Sequence, residues 1–281
     1  NCSGATELIL GSSVEKIGDQ AFLYASRLRK LVIPSSMKTI GADAFASTWG
    51  LKEVTFLDSE CSLESKVFAY THVLDKISLG TKIQNIPSTM FINSNRLCEF
   101  TIPASVTGWS YSWISRTPLN SLNVYAKEVP NYAFDESLSL TDLVLGDGVE
   151  TVGQSAFLGC KYLSAVTIAP TVKHISDYAF SGCTSIVDFT LPDTVESVSA
   201  SAFNGCNFIV TENGMRYVNN CLLGPVNKNQ TGYTIKDSVV NIAGNAFESC
   251  KSLKEIVIPN NVKFVGPKAF FNCQNVESYT I

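Results

Sequence analysis

Two histidines stand in a chain of 281 residues, and that scarcity removes the commonest acid–base group from most of its surface. Charge is scarce as well, at 16% of residues. The net charge of −4 and an isoelectric point near 5.3 argue against nucleic acid and an anionic membrane surface as partners. No apolar run approaches the roughly 20 residues that a membrane-spanning helix needs, so direct insertion into a bilayer is not expected. The nine cysteines include no C-x-x-C pair, which removes the usual zinc spacing. G-x-S-x-G, a P-loop and a dinucleotide fingerprint are missing too. The chain reads as non-enzymatic, with no catalytic residue, metal site or cofactor.

What the chain has in plenty is phenylalanine at a fixed spacing. Phe22, Phe45, Phe68 and Phe91 follow one another at 23 residues, as do Phe134, Phe157, Phe180 and Phe203, and then Phe247 and Phe270. Each keeps the same company: L-x-x-L-x-[IL], often a proline, then V-x-x-I-G, A-F and x-x-C. Leu28, Leu31, Ile33, Pro34, Met37, Ile40, Gly41, Ala44 and Phe45 form one copy. Leu253, Ile256, Ile258, Pro259, Val262, Val265, Gly266, Ala269, Phe270 and Cys273 form another. A fixed period of this length marks a stacked solenoid, whose single copies enclose too little alone and whose neighbours bury one continuous core.

Within a copy, the last two apolar residues of L-x-x-L-x-I share one face of a short strand. Pro34, Pro192 and Pro259 follow that strand, where a missing N–H ends the ladder. V-x-x-I-G-x-x-A-F-x-x-C spaces its apolar residues by three, four, one and three. That spacing predicts a turn or two of helix along the back, capped by pairs such as Gly18-Asp19 and Ser176-Asp177.

This pattern resembles the BspA-type, or Treponema pallidum-type, leucine-rich repeat family, and the resemblance covers the whole chain. It implies an α/β solenoid of about eleven 23-residue repeats, with a parallel concave β-sheet and short helical turns and irregular segments on the convex side. It also implies a cell-surface or secreted protein active in adhesion, with a host extracellular protein as partner. A single solenoid domain spans 1–281. The chain starts and ends inside a repeat without a recognisable polar cap, so it reads as a segment of a longer protein or as one whose ends a partner covers.

Cys160, Cys183, Cys206, Cys250 and Cys273 lie three residues after a repeat phenylalanine, and Cys2 falls in the equivalent slot of a truncated copy. Ala25, Thr48, Thr71 and Ser94 hold that slot elsewhere, so it asks for a small side chain, and the cysteines read as reduced, buried small hydrophobes. Copies about 5 Å apart fall inside the disulfide distance window, although parallel side-chain vectors oppose pairing.

The period breaks twice. Over 97–139, Ile114 takes the phenylalanine slot, Trp109 the isoleucine slot and Trp113 the alanine slot, beside Tyr111, Tyr125 and Tyr132. Large aromatics there refill a core that lost its phenylalanine. Trp113 is too large for its slot, so either the backbone shifts or the ring lies outside, open to a ligand. The second break is an insertion at about 208–231, where Asn213-Gly214 between apolar runs signals a hairpin. It reads as a brace for one flank, or as a specificity loop.

Two residues of each strand face outward. One row reads Ile9, Val32, Thr55, Ser78, Thr101, Asn123, Val144, Thr167, Thr190, Thr234, Val257 and Thr280, which suits either a solvated strand or a flat hydrogen-bonding surface. The row beside it begins Glu7, Lys30, Glu53, Lys76, Glu99, Ser121 and Asp142, and its alternating charges turn repulsion between stacked strands into weak attraction. Candidate ligand-binding residues are Thr55, Thr101, Thr167, Thr190, Glu99, Asp142, Trp113 and Tyr125. His72 and His174 lie four repeats apart, roughly 20 Å at strand spacing, and share no site. Three functions stay open: a protein-binding module acting through the concave sheet, a structural spacer within a larger surface protein, and a glycan-binding solenoid using aromatics near Trp113 and Tyr125.

Overall fold

The computed structural model describes residues 3–109 and 117–280, and every regular element in them is a short β-strand. One set of strands forms a strand face in three parallel ladders. Lys30–Ile33, Glu53–Phe56 and Lys76–Ser78 make the first, and Glu99–Ile102, Ser121–Val124, Asp142–Leu145 and Ala165–Ile168 the second. Gly232–Thr234, Glu255–Val257 and Ser278–Thr280 make the third. A second set of two-residue strands, from Lys16–Ile17 to Phe264–Val265, stacks mostly in parallel ladders of its own. Within the parallel ladders the register is in phase, with Leu31 opposite Val54 and Leu122 opposite Leu143, so apolar slots meet their own kind.

The helical turns expected around the A-F pair are absent from the described residues, which corrects the α/β reading to a β-solenoid. Consecutive β-turns take their place. Between Gly41 and Thr48, the amide of Ala44 donates to the Gly41 carbonyl at 3.3 Å and that of Ala46 to Asp43 at 3.1 Å. The alternate amides of Asp43, Phe45 and Ser47 instead cross to the carbonyls of Ser65, Val67 and Ala69 in the next coil, at 3.1, 3.0 and 2.9 Å. A helix would send all of them to the fourth preceding carbonyl of their own coil. Crossing requires left-handed backbone at Asp43 (φ +54°) and Ser47 (φ +56°), which no helix tolerates. Glycine fills the second of these positions without strain at Gly159, Gly182 and Gly205, whereas other residues there cost about 1–2 kcal/mol each. The expected helix cap Asp19 serves the neighbouring coil, its Oδ1 accepting from the Ala42 amide at 2.9 Å, and Asn131 Oδ1 accepts from that of Gln154 at 2.7 Å in the same way.

The phenylalanines form the core's spine. Phe45, Phe68, Phe91, Phe134, Phe157, Phe180, Phe203 and Phe247 are fully buried, and Phe22 and Phe270 half-buried at the two ends. Successive rings stack nearly parallel, 5.2 Å apart at Phe157–Phe180 and 5.0 Å at Phe247–Phe270, in the offset geometry aromatic rings prefer. In the first irregular stretch Trp109 packs on Phe134 at 5.6 Å and continues the aromatic column. At the second break Phe208 stacks on Phe189 at 4.5 Å. The inserted hairpin turns at Asn213 and Gly214, both at positive φ as a type I′ turn requires. Its third strand, Cys221–Pro225, joins Asn241–Ile242 in parallel, and Met215, Tyr217 and Leu222 are buried in the shared core.

The slot after each phenylalanine selects more than small size. Cys160, Cys183, Cys206 and Cys273 each donate their S–H to the phenylalanine carbonyl of the preceding coil, at 3.0–3.2 Å, and Thr48 and Thr71 donate their hydroxyls to that of their own coil at 2.8 Å. The slot therefore favours a small donor. The described cysteines are all free thiols. Burial pushes the Cys206 thiol up to about 11 and those of Cys61 and Cys221 from 9.0 to about 12.

Replacing Phe180 with Ala removes a ring held between Phe157, Phe189 and Phe203 and should cost on the order of 3–5 kcal/mol. Urea unfolding of the variant checks it, and a loss below about 1 kcal/mol would place the ring outside the core. Thiol reagent at pH 8 should leave the buried cysteines unmodified in the native fold and label all nine once it is denatured. Because these thiols ionise more easily when unfolded, stability should hold below pH 9 and decline as pH rises from about 9 toward 12.

Candidate binding face

The in-phase register builds two continuous rows on the strand face. Val32, Thr55 and Ser78 lie side by side, as do Thr101, Asn123, Val144 and Thr167. In the adjacent row Glu53 sits between Lys30 and Lys76, its carboxylate oxygens 3.1 and 4.0 Å from their ammonium groups. These pairs are largely exposed and add little stability, and the single carboxylate is shared between two ammonium groups. Beyond Lys76 the compensation ends. Among the described residues, neither Glu99 nor Asp142 has an ion-pair partner; Asp142 accepts only the Thr141 hydroxyl, at 2.5 Å.

The face is interrupted where these two ladders meet. Lys76–Ser78 and Glu99–Ile102 are neighbours, yet no backbone hydrogen bond joins them. The phenylalanine stack behind is also widest here, with Phe68 and Phe91 6.3 Å apart. A depression of about 940 Å3 opens over this junction and brings together Lys76, Ser78, Glu99, Thr101, Asn123, Tyr125 and Asp147. Tyr125 is 38% exposed, and its ring lies across Gly146, where even a Cβ would fall 2.3 Å from the ring. Glycine at 146 is thus what lets the ring lie against the next coil.

Of the candidates from sequence, Glu99, Thr101 and Tyr125 meet in this depression. Thr55, Asp142 and Thr167 flank it along the rows. Thr190 does not belong with them: residues 186–190 form no strand, and the Leu191 amide donates to Asn219 Oδ1 of the insertion at 2.8 Å, so the ladder stops at Ala165–Ile168. Trp113 lies outside the described residues. Ser78, Asn123 and Asp147 were not singled out from sequence. Asn123 was visible as the one amide in a β-branched row, whereas nothing in the unbroken step from Phe68 to Phe91 marks an open ladder.

Histidine contributes little to the face. His72 contacts the Asn95 amide through Nδ1 at 3.4 Å, and His174 lies exposed in a two-residue strand. No group of three metal-ligating side chains converges among the described residues, and no described helix is long and apolar enough to cross a membrane.

The coil geometry and in-phase rows define a leucine-rich repeat solenoid. The BspA type Leucine rich repeat region matches in six copies over residues 1–120, 127–221 and 226–281, and the chain belongs to that family. Similar solved structures include a leucine-rich repeat protein from Bacteroides ovatus, 18% identical, covering 96% of this chain and 71% of its own with a TM-score of 0.34. The T. pallidum leucine-rich repeat protein is 22% identical over 62% of this chain and 72% of its own, with a TM-score of 0.37. A leucine-rich cell surface protein from Faecalibacterium prausnitzii is 20% identical over 99% and 80%, with a TM-score of 0.29. No curated protein matches the sequence.

Proposed function

We propose that this chain is a non-enzymatic binding module, displayed at a cell surface or secreted, that holds a host extracellular protein against its strand face in adhesion. The observation that carries this reading is the depression over the open ladder. It gathers hydroxyl, amide and aromatic side chains beside Lys76 and around Glu99, which has no ion-pair partner among the described residues. Such a surface suits a protein ligand that offers backbone amides and a basic side chain, with Tyr125 as its aromatic anchor. Thr55, Asp142 and Thr167 extend the contact along the rows. Neither a metal nor a cofactor has a part in it. The family supports a binding role, and the F. prausnitzii structure is of a cell-surface protein.

Surface plasmon resonance against extracellular-matrix and plasma proteins tests the reading. Saturable binding is expected, reduced about tenfold or more by Thr101→Lys and by Gly146→Ala, which moves the Tyr125 ring without removing it. Binding that ignores both changes would move the site off this face. No binding to any member of the panel would favour a spacer.

A further inference from the structure

The strand face is not the only surface on which the sequence departs from what the fold needs. The residue two places after each spine phenylalanine sits at positive φ in every fully described coil from Phe22 to Phe270, and at Tyr24, Ser47 and Tyr70 its amide crosses to the next coil. Gly159, Gly182 and Gly205 meet that demand without strain. Tyr24 (φ +62°) and Tyr70 (φ +59°) fill the same position with a bulky side chain, whereas Tyr132 (φ +58°) and Tyr178 (φ +57°) are left-handed two places before their phenylalanines instead. Neither ring earns its place in the core: Tyr24 is 48% exposed and Tyr70 41%. Between them, in the intervening coil, Trp49 is 52% exposed and meets the Tyr24 ring edge-on at 6.3 Å.

The surroundings of these rings are as selective as the rings themselves. The positions two and four after the phenylalanine read Tyr24 and Ser26, Ser47 and Trp49, Tyr70 and His72, and Asn93 and Asn95 over the first four coils. None of the eight carries a formal charge with histidine neutral, and they combine three large aromatics with hydroxyl, amide and imidazole groups. Aromatic rings set among neutral hydrogen-bonding groups suit a ligand with both apolar C–H faces and hydroxyls. Stacking at coil spacing puts Tyr24 and Tyr70 about 10 Å apart along the solenoid, the reach of two linked sugar rings.

We propose that the turn ridge of the first coils, centred on Tyr24, Trp49 and Tyr70, binds an uncharged polysaccharide chain laid along the solenoid axis. Sugar rings stack on the three aromatics, and Ser47, His72 and Asn93 hydrogen-bond their hydroxyls. This site lies on a different surface from the strand face, and neither depends on the other.

Tryptophan fluorescence and calorimetry with cello-, xylo-, manno- and chito-hexaose at millimolar concentration test the proposal. At least one should bind saturably and change the emission of Trp49. Tyr70→Ser and Trp49→Asn place residues that other coils already hold in those slots, so both variants should keep the parent's circular dichroism and lose about tenfold or more in affinity. Tyr178→Ser, which alters an exposed tyrosine well along the chain, should bind as the parent does. Saturable binding that survives both ridge variants, or no binding to any of the four sugars, overturns the proposal.

Discussion

Everything in this solenoid depends on the hydrogen bonds that each coil sends to the next. Those bonds hold copies of one short pattern in register at strand spacing, and register makes identical side chains meet. Phenylalanine stacks on phenylalanine, and Cys183 reaches back to the carbonyl of Phe157 while Cys206 reaches that of Phe180. The same bonds dictate the backbone at the turn ridge. An amide that must point along the axis cannot also serve its own coil, so the chain bends into left-handed conformations that a helix would exclude.

The apolar spine was legible in the sequence because burial is periodic and phenylalanine has no substitute of equal shape. The ridge was misread as helix because spacings of three, four, one and three also fit 3.6 residues per turn. Apolar spacing reports which side chains go inward and says nothing of where the amides go. A different signal was available: Gly159, Gly182, Gly205, Asn93 and Asn272 share one position, and glycine with asparagine is the composition of left-handed backbone. Alternating charge at Lys30, Glu53 and Lys76 was readable for the opposite reason, since parallel in-phase strands convert sequence period directly into contact. Thr190 was misplaced because the insertion that captures its neighbour's amide lies 28 residues further on, where no local pattern points back.

The junction between the third and fourth coils shows how such a scaffold makes room for a ligand. The strand-face ladder is interrupted there, and so is the ladder between Ser62–Leu63 and Asn85–Ile86. What still ties the coils is the turn ridge, where Phe68 donates to Met90 at 3.1 Å and Tyr70 to Ile92 at 2.8 Å, with Thr71 and Ser94 sharing a buried hydroxyl contact at 2.8 Å. A core slot could not be relaxed in this way, because an unpaired buried amide costs the full loss of its hydration, whereas amides on a solvated face turn to water. The depression beside Tyr125 therefore arises where the fold can yield at least expense. The ridge behind it carries the load at that junction, so its backbone must stay left-handed at Tyr70 whatever side chain stands there. A tyrosine in that position is a choice the scaffold did not impose.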